Sequence, residues 1–482
     1  MEDLKGFFIP RSIAIFGASS DLNSISGKPL RYLQEHGYKG NVYPINPKYQ
    51  EVAGLKCYPD LVSLPETPDL LLVAVSYKRI FMVIEQCIEK GVKNIVVFSS
   101  GFAEVGGEGV ELQRRVVELC REHGIRMLGP NCQGIVNLHD NVTAAFSGSL
   151  EINPFLAGGT GFVTQSGALG YSIFNLAQEA GVGFSSVVST GNEADLNTLG
   201  FMEYMVEDDA TKSIIAYLES VKDGGKFSRI ADRALKLAKP LIVLKVGRSE
   251  IGQKASASHT GSLTGSDVVF DAFVKQKGLI RVEDIMDIID LAGLVEKTKL
   301  PEGKGLGIVT TSGGAGILVA DRASDLGLDI CELPDKTRKA ISECIPPYGS
   351  DINPVDVTAQ VINDPDGFSK VLDEILSVPG IHGIVVVVTM ITGEAGEKMA
   401  QDIVKQTSKT DKPIVVAWTG GDHLMGKALH ILREGKVPLF KSPIRATDAL
   451  GALMKYQVFR KKYLMEQEAD ADYQIENYDG RY

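Results

Sequence analysis

Short apolar runs alternate with amphipathic stretches along the first part of the chain. SIAIFGAS, NVYPIN, DLLLVAV, NIVVFSS and IRMLGPN are apolar through their centres, as strands buried on both faces are. Between them, PLRYLQEHG, YKRIFMVIEQCIEKG and VELQRRVVELCREHG space their apolar residues as amphipathic helices do. Strand–helix alternation predicts an α/β domain built on a doubly wound parallel sheet, here over residues 1–140. The pattern resumes after the Gly-rich junction LAGGTG. GFVTQ, FSSVVST, SIIAYLES and PLIVLKVG predict the strands of a second domain over residues 150–298, followed by a long loop within it. A charged linker, EKTKLPEGKG, introduces a third domain over residues 303–460, with strands at GLGIVTT, HGIVVVVTM and PIVVAWTG. From Glu466 on the chain is acidic and Tyr-rich with little pattern. Residues 466–482 are therefore expected to form a disordered or partner-contacting acidic tail.

The second and third domains echo each other. FVTQSGALG (162–170) and IVTTSGGAG (308–316) each read as a strand, a Ser-Gly turn and a helix start. Two copies of one parallel-sheet unit would produce this. Whether Ser312-Gly313-Gly314 binds anything stays open.

A chain of 482 residues exceeds a single hydrophobic core, in line with roughly three domains. Its net charge of −11 and the lack of a basic stripe with interleaved aromatics argue against a nucleic-acid or membrane-surface binder. No apolar run reaches transmembrane length. The opening MEDLKGFFIPRS lacks the features of a signal peptide. The six cysteines are widely spaced with no CxxC pair, which fits reduced thiols in the cytoplasm rather than a zinc or dithiol site.

The candidate chemistry begins with Lys254 to Asp267, KASASHTGSLTGSD. His259 is the only bulky functional side chain among small hydroxyl and glycine residues, Thr260 and Gly261 next to it. Such a segment can offer N–H groups and hydroxyls to an anion. A neutral imidazole can take up a phosphoryl group; the alternative is a solvated loop histidine.

In the first domain, Gly17-Ala18-Ser19-Ser20 follows the first strand and precedes a helix, where doubly wound folds bind phosphate. The full GxGxxG is absent. The second strand ends in Asn46-Pro47-Lys48 instead of the carboxylate expected for NAD, and Lys48 suits a ribose phosphate such as that of CoA or NADP. Ser99-Ser100-Gly101 and Gly129-Pro130-Asn131 also fall at strand ends, where ligands gather and where ordinary turns also occur.

GASSDLNS, GPNCQGI, VTQSGALG, STGNEAD, SHTGSLTGSD and NPVDVT occur in this order along the chain. Together they resemble the α subunits of ADP-forming acetyl-CoA synthetases (acetate–CoA ligases), relatives of succinyl-CoA synthetase, over roughly residues 5 to 460. The resemblance implies a Rossmann-like CoA-binding domain followed by two flavodoxin-like parallel-sheet domains. It implies that His259 is the phosphorylated histidine, held by Glu219 at the end of SIIAYLES. A carboxylate accepting the imidazole N–H would set the tautomer and raise its nucleophilicity. It further implies phosphate binding by Ser166 and Gly167 at a helix start, with Thr260 and Gly261. CoA contacts would come from Gly17, Ala18, Ser19, Ser20, Lys48, Ser99, Ser100, Gly101 and Asn131, and Tyr171 matches a substrate-side tyrosine.

The chain shows no Walker loop and no length for a nucleotide-grasping domain. The resemblance thus implies a separate ATP-grasp β subunit carrying ADP or ATP with Mg²⁺, in an α2β2 heterotetramer, and no metal on this chain. The rivals are a non-catalytic CoA-binding regulatory protein, which would have no use for His259, Glu219 and Ser166 together, and an NAD(P)-dependent oxidoreductase.

Overall fold

The computed structural model describes residues 3–254, 265–360 and 366–478, with side chains as far as residue 469. The chain forms two compact units, Met1–Ile289 and Asp290–Tyr482.

The first unit contains two parallel-type sheets. Strands β1 (Ser12–Phe16) and β2 (Asn41–Ile45) are followed by a small hairpin, β3 (Glu51–Val52) and β4 (Leu55–Lys56). Then come β5 (Leu70–Val73), β6 (Asn94–Val97) and β7 (Arg126–Leu128). The main strands lie in the order β2-β1-β5-β6-β7, all parallel. Every residue of β1 and β5 is buried, which is why these strands read as continuous apolar runs. Helices Lys28–Glu35, Ile80–Lys90 and Glu108–Glu122 stand where the amphipathic segments predicted them. Chain order reverses at β1, and the crevice for ligands of such a sheet opens beyond the strand ends there.

The second sheet has the order β14-β13-β12-β10-β11-β8-β9. Its members are β8 (Gly134–Asn137), β9 (Val142–Ala145), β10 (Ala157–Thr164), β11 (Phe184–Ser189), β12 (Ser213–Leu218), β13 (Leu241–Lys245) and β14 (Ile280–Val282). The pair β8–β9 is antiparallel and joins the edge of β11. This hairpin is absent from the sequence reading, and it carries residues 134–145 into the second sheet. Its apolar character cannot reveal which sheet it completes. The two sheets share one apolar cluster, in which Phe8 stacks on Tyr204 at 4.1 Å and Phe7 meets Phe201 edge-on at 6.3 Å. The Phe7-Phe8 pair near the N-terminus is thus core.

In the second unit, β15 (Gly305–Thr310), β16 (Asp329–Ile330), β17 (Val355–Asp356), β18 (Gly383–Thr389), β19 (Ile414–Thr419) and β20 (Leu439–Phe440) form the order β16-β15-β18-β19-β20, with β17 on β15. The three long strands are those expected. The short ones lie below the length at which periodicity is readable. The last helix runs Pro443–Tyr478, so the acidic stretch from Glu466 continues a helix rather than lacking regular structure. Buried Leu450, Leu453 and Met454 fix its first half. Propagating an existing helix through Glu, Ala and Met costs little once it is nucleated.

The sequence echo has a structural basis. Thr164 at the end of β10 donates its hydroxyl to the Ser166 carbonyl at 2.8 Å and accepts from the Ser166 N–H at 3.1 Å. Thr310 does the same with Ser312 at 2.8 and 3.0 Å. A Cβ on Gly170 would stand 2.3 Å from the Thr164 methyl, and one on Gly316 would stand 2.9 Å from the Thr310 methyl. The glycine lets the helix return close over its strand. Gly170→Ala is expected to destabilise the first unit by about 1–3 kcal/mol through overpacking. Urea denaturation checks it; an unchanged midpoint would mean that the helix shifts freely.

Candidate functional site

Parallel β10 and β12 are neighbours, and the chain leaves β10 in one direction for β11 and in the other for β12. Their C-terminal ends form the switch point of the second sheet, the position at which such sheets hold ligands. A cavity of about 440 Å³ opens there. Ser166 and Gly167 line it at the start of helix Gly167–Glu179, and Glu219 lines it just past β12. Ser166 sits at the N-cap, yet its side chain makes no capping hydrogen bond. The first N–H groups of a helix lack partners within it and carry its positive end, so this corner favours an anion. Glu219 is 8% exposed. Burial, and next the Glu219 charge, push the neighbouring Tyr217 hydroxyl up to about 12.

Gln165 organises these groups, a role the sequence did not signal. Its Oε1 accepts from the N–H of Glu219 (2.5 Å) and of Ser220 (3.1 Å). Its Nε2 donates to the Ser220 carbonyl (3.0 Å) and to Glu193 Oε2 (2.9 Å). Glu193 has φ +52°, a strained value for a residue other than glycine. Its Oε1 accepts from the N–H and hydroxyl of Thr198 and from the Thr190 hydroxyl. One side chain thus holds the loop after β12 at a set distance from the loop after β11.

The opposite wall comes from the first sheet. Asn131, at φ +56°, donates its backbone N–H to the Ser99 carbonyl at 3.0 Å and its side chain to Asn192 at 3.2 Å. Asn192 donates to Glu104 (2.5 Å) and Gln113 (3.0 Å). Glu104 also accepts from the N–H groups of Gly101 (2.5 Å) and Phe102 (3.2 Å). Burial drives the Glu104 carboxyl up, but the bonds from Asn192 and the backbone outweigh it and hold the group below its usual range. Glu104 lies in a short 3-10 turn and Asn192 in STGNEAD, far apart in the chain, so only the fold reveals their pairing.

Of the remaining expected residues, Gly17 ends β1 with φ +93°, and a Cβ there would meet Val75 and the Ala74 carbonyl. The Gly17 and Ala18 N–H groups both go to the Ile45 carbonyl (2.8 and 3.2 Å), so neither is free for a phosphate. Ser19 accepts from the Asp21 N–H, and Ser20 is exposed. The helix that the turn precedes begins at Lys28, so the Gly17 turn is not itself a helix N-terminus. Asp21 instead bonds Asn23 and Ser24 and folds the loop back until Gly27 packs on the Asp21 carbonyl. Asn46 bridges the turn to Lys48 by donating to the Ala18 carbonyl (2.8 Å) and accepting from the Lys48 N–H (3.0 Å). Lys48 and Ser100 are exposed, and Gly101 at φ +106° lies against the Tyr77 ring. Gly17, Ala18, Ser19, Ser20, Lys48, Ser99, Ser100 and Gly101 do not line the cavity; Asn131 does. Tyr171 is fully buried beside Cys132, outside the lining.

His259, Thr260 and Gly261 lie outside the described residues. The chain beyond that segment is pinned by Asp267, which accepts from Arg281 at 2.7 and 2.9 Å and lies 3.9 Å from Lys245 at the end of β13. Burial lowers the buried Lys245 ammonium below its usual range, with partial compensation from Asp267. Among the described residues no cluster of His, Cys, Asp and Glu could hold a metal ion, and no helix is long and apolar enough to cross a membrane.

Models of three families match the chain: a CoA binding domain over residues 11–137, a succinyl-CoA ligase-like flavodoxin domain over 157–295 and a Ligase-CoA domain over 306–465. The α subunit of ADP-forming acetate–CoA ligase I from Pyrococcus furiosus is 35% identical over 466 residues, covering 95% of this chain and 99% of the relative. ADP-forming acetate–CoA ligase I from Archaeoglobus fulgidus is 34% identical over 98% of this chain, which spans 66% of that longer relative. Among solved structures, the acetyl-coenzyme A synthetase 1 of Ca. Korarchaeum cryptofilum in complex with phosphate and ADP is similar with a TM-score of 0.89 and 33% identity, covering 97% of this chain and 99% of that one.

Proposed function

Because the chain belongs to the ADP-forming acetate–CoA ligases as a counterpart of their α subunits, we propose that it carries the acyl-transfer and phosphoryl-carrying half of acyl-CoA + ADP + phosphate ⇌ carboxylate + CoA + ATP. The observation that carries this reading is the meeting of the Ser166–Gly167 helix start and the Glu219 carboxylate in one cavity. The anion-favouring corner suits phosphate, and the carboxylate suits an imidazole beside it.

Phosphate held at the helix start attacks the thioester carbonyl, and the CoA thiolate leaves, giving an acyl phosphate. His259 then attacks phosphorus and the carboxylate leaves. Glu219 accepts the N–H of the ring, and Thr260 and Gly261 help to hold the phosphoryl group. ADP accepts it to form ATP. Positioning and charge stabilisation carry most of such a transfer. CoA would bind along the C-terminal edge of the first sheet, with Gly17 and Ala18 allowing close approach rather than donating N–H groups, and with Ser19, Ser20, Lys48 and the loop Ser99–Gly101 as its polar contacts and Asn131 where that edge meets the cavity. We assign ADP or ATP with Mg²⁺ to a separate ATP-grasp partner in an α2β2 assembly, and no step on this chain runs through the metal. The longer relatives, of which this chain spans about two-thirds, leave room for such a part. The organisation that fits is a CoA-binding Rossmann-like domain and two flavodoxin-like domains.

The test is to incubate the chain, with and without the partner, with acetyl-CoA and radiolabelled phosphate. An acid-labile, base-stable label on the protein is expected. No label from a panel of acyl-CoAs in the assembled enzyme would overturn the reading in favour of a CoA-binding regulatory protein.

Gln165 should act as a positioning residue. Gln165→Ala frees the Glu219 backbone and removes a bond from strained Glu193, so kcat is expected to fall about 10²-fold, the usual result of an ångström-scale misplacement. CoA affinity by calorimetry should stay the same. A drop in CoA affinity with kcat preserved would refute this role.

A further inference from the structure

Asn192 and Glu193 are neighbours on the loop that follows β11. The Asn192 side chain is held by residues that follow strands of the first sheet, and the Glu193 side chain by residues of the second. The loop backbone is docked on the first sheet as well. The Asn192 N–H donates to the Pro130 carbonyl at 2.9 Å and the Ala194 N–H to the Gly129 carbonyl at 3.1 Å. Asp195 accepts from the Met127 N–H at 3.0 Å.

Both amide hydrogens of Asn192 are committed to the protein. A carboxylate only accepts, so Asn192 Nδ2 is the atom facing Glu104 Oε2, at 2.5 Å. The same nitrogen donates to Gln113 at 3.0 Å, and Asn192 Oδ1 accepts from Asn131 at 3.2 Å. The other oxygen of Glu104 accepts from the N–H groups of Gly101 and Phe102. Glu104 therefore ties the loop Ser99–Gly101 to Asn192. From Glu193 the bonds continue to Gln165, and from Gln165 to the Glu219 N–H. A continuous line of hydrogen bonds and one peptide link thus joins Gly101 to Glu219, turning at Glu193, whose φ is +52°. Strain of this kind persists where surrounding bonds over-determine it, and Thr190, Thr198 and Gln165 supply those bonds.

We propose that Asn192 is a positioning residue for the attack of phosphate on the thioester: through Glu104 it registers the loop Ser99–Gly101 against the loop that carries Glu219. This rests on the phosphoryl-transfer reading above, in which the first loop contacts CoA and the second borders the phosphate corner at Ser166. In the attack a phosphate oxygen bonds the carbonyl carbon, and the C–S bond breaks with its electrons leaving on the CoA thiolate. Its rate depends on the alignment of two reactants held by different loops. Asn192 acts on that alignment through Glu104, since its N–H groups are spent on Glu104 and Gln113. Cutting the link at Asn192 leaves the Gln165 bonds to Glu219 and Ser220 in place, so the later transfer through His259 should not feel it.

The test separates the two half-reactions in the full chain assembled with its nucleotide-binding partner. CoA release from acetyl-CoA and phosphate is followed over the first turnover without ADP, and labelling of the chain by γ-labelled ATP is followed without any acyl group. Asn192→Ala is expected to slow CoA release by about 10²-fold, the cost of an ångström-scale misplacement. Labelling by ATP and the affinity for CoA by calorimetry should be unchanged. Glu104→Gln keeps the shape but has one acceptor oxygen in place of two, so it should slow CoA release in the same way. The double variant should be no slower than the slower single one, because both changes cut one link. CoA release unmoved in both variants would overturn the proposal. So would CoA release and ATP labelling falling together, the mark of a merely structural residue. A loss of CoA affinity in Asn192→Ala with the rate preserved would overturn it too, making Asn192 a CoA contact. No label from ATP on the wild-type chain would instead overturn the phosphoryl-carrier reading beneath it.

Discussion

His259→Ala is expected to abolish ATP formation, with a loss of at least about 10⁴-fold, the scale seen when a nucleophile is removed from a covalent mechanism. No neighbour in the segment can replace it, since Ser258, Thr260 and Gly261 offer only weak nucleophiles or none. The same substitution should remove the acid-labile label from the protein. Folding should survive, because KASASHTGSLTGSD contributes little apolar bulk, and both an unchanged melting profile and unchanged CoA affinity would show it. Measurable ATP formation by a folded His259→Ala chain in the assembled enzyme would end the phosphohistidine proposal.

Glu219→Gln should be the next most damaging change. The substitution keeps the shape of a buried side chain and the Gln165 bond to its backbone, but it removes the charge. An amide can no longer stabilise the cationic ring that develops as imidazole takes a phosphoryl group. Loss of such an orienting carboxylate costs about 10²–10⁴-fold. The drop is expected in the rate of protein labelling, with KM for acyl-CoA nearly unchanged. If labelling is intact while KM rises, Glu219 contacts the acyl substrate instead. A stability defect without either effect would reduce it to a structural residue.

Much of the fold was legible because parallel sheets covered on both faces write themselves as apolar runs. Leu70–Val73 and Ser213–Leu218 are fully buried, and both could be placed by eye. The candidate site was legible where chemistry concentrates at strand ends: Ser166, Gly167, Glu219 and Asn131 were expected there and line one cavity. The Gly17 turn follows β1 and precedes a helix as read, but Asp21 and Ser24 fold the chain between them, so that helix begins only at Lys28. The acidic end read as patternless because Glu466 to Ala469 are all exposed, and a helix fixed by buried Leu450 and Leu453 carries them.

The sequence by itself determined the strand–helix alternation, the repeated Thr-x-Ser-Gly turn and the location of polar strand ends, since these depend on residues close along the chain. Only the tertiary structure decided that the β8–β9 hairpin completes the second sheet and brings Phe146 toward Phe98, 48 positions away in the numbering. It alone paired Asn192 with Glu104, and Gln165 with Glu193 and Glu219. Such partners meet because strand order is set by the burial of whole sheet faces, and no local spacing records which distant loops that burial will bring together.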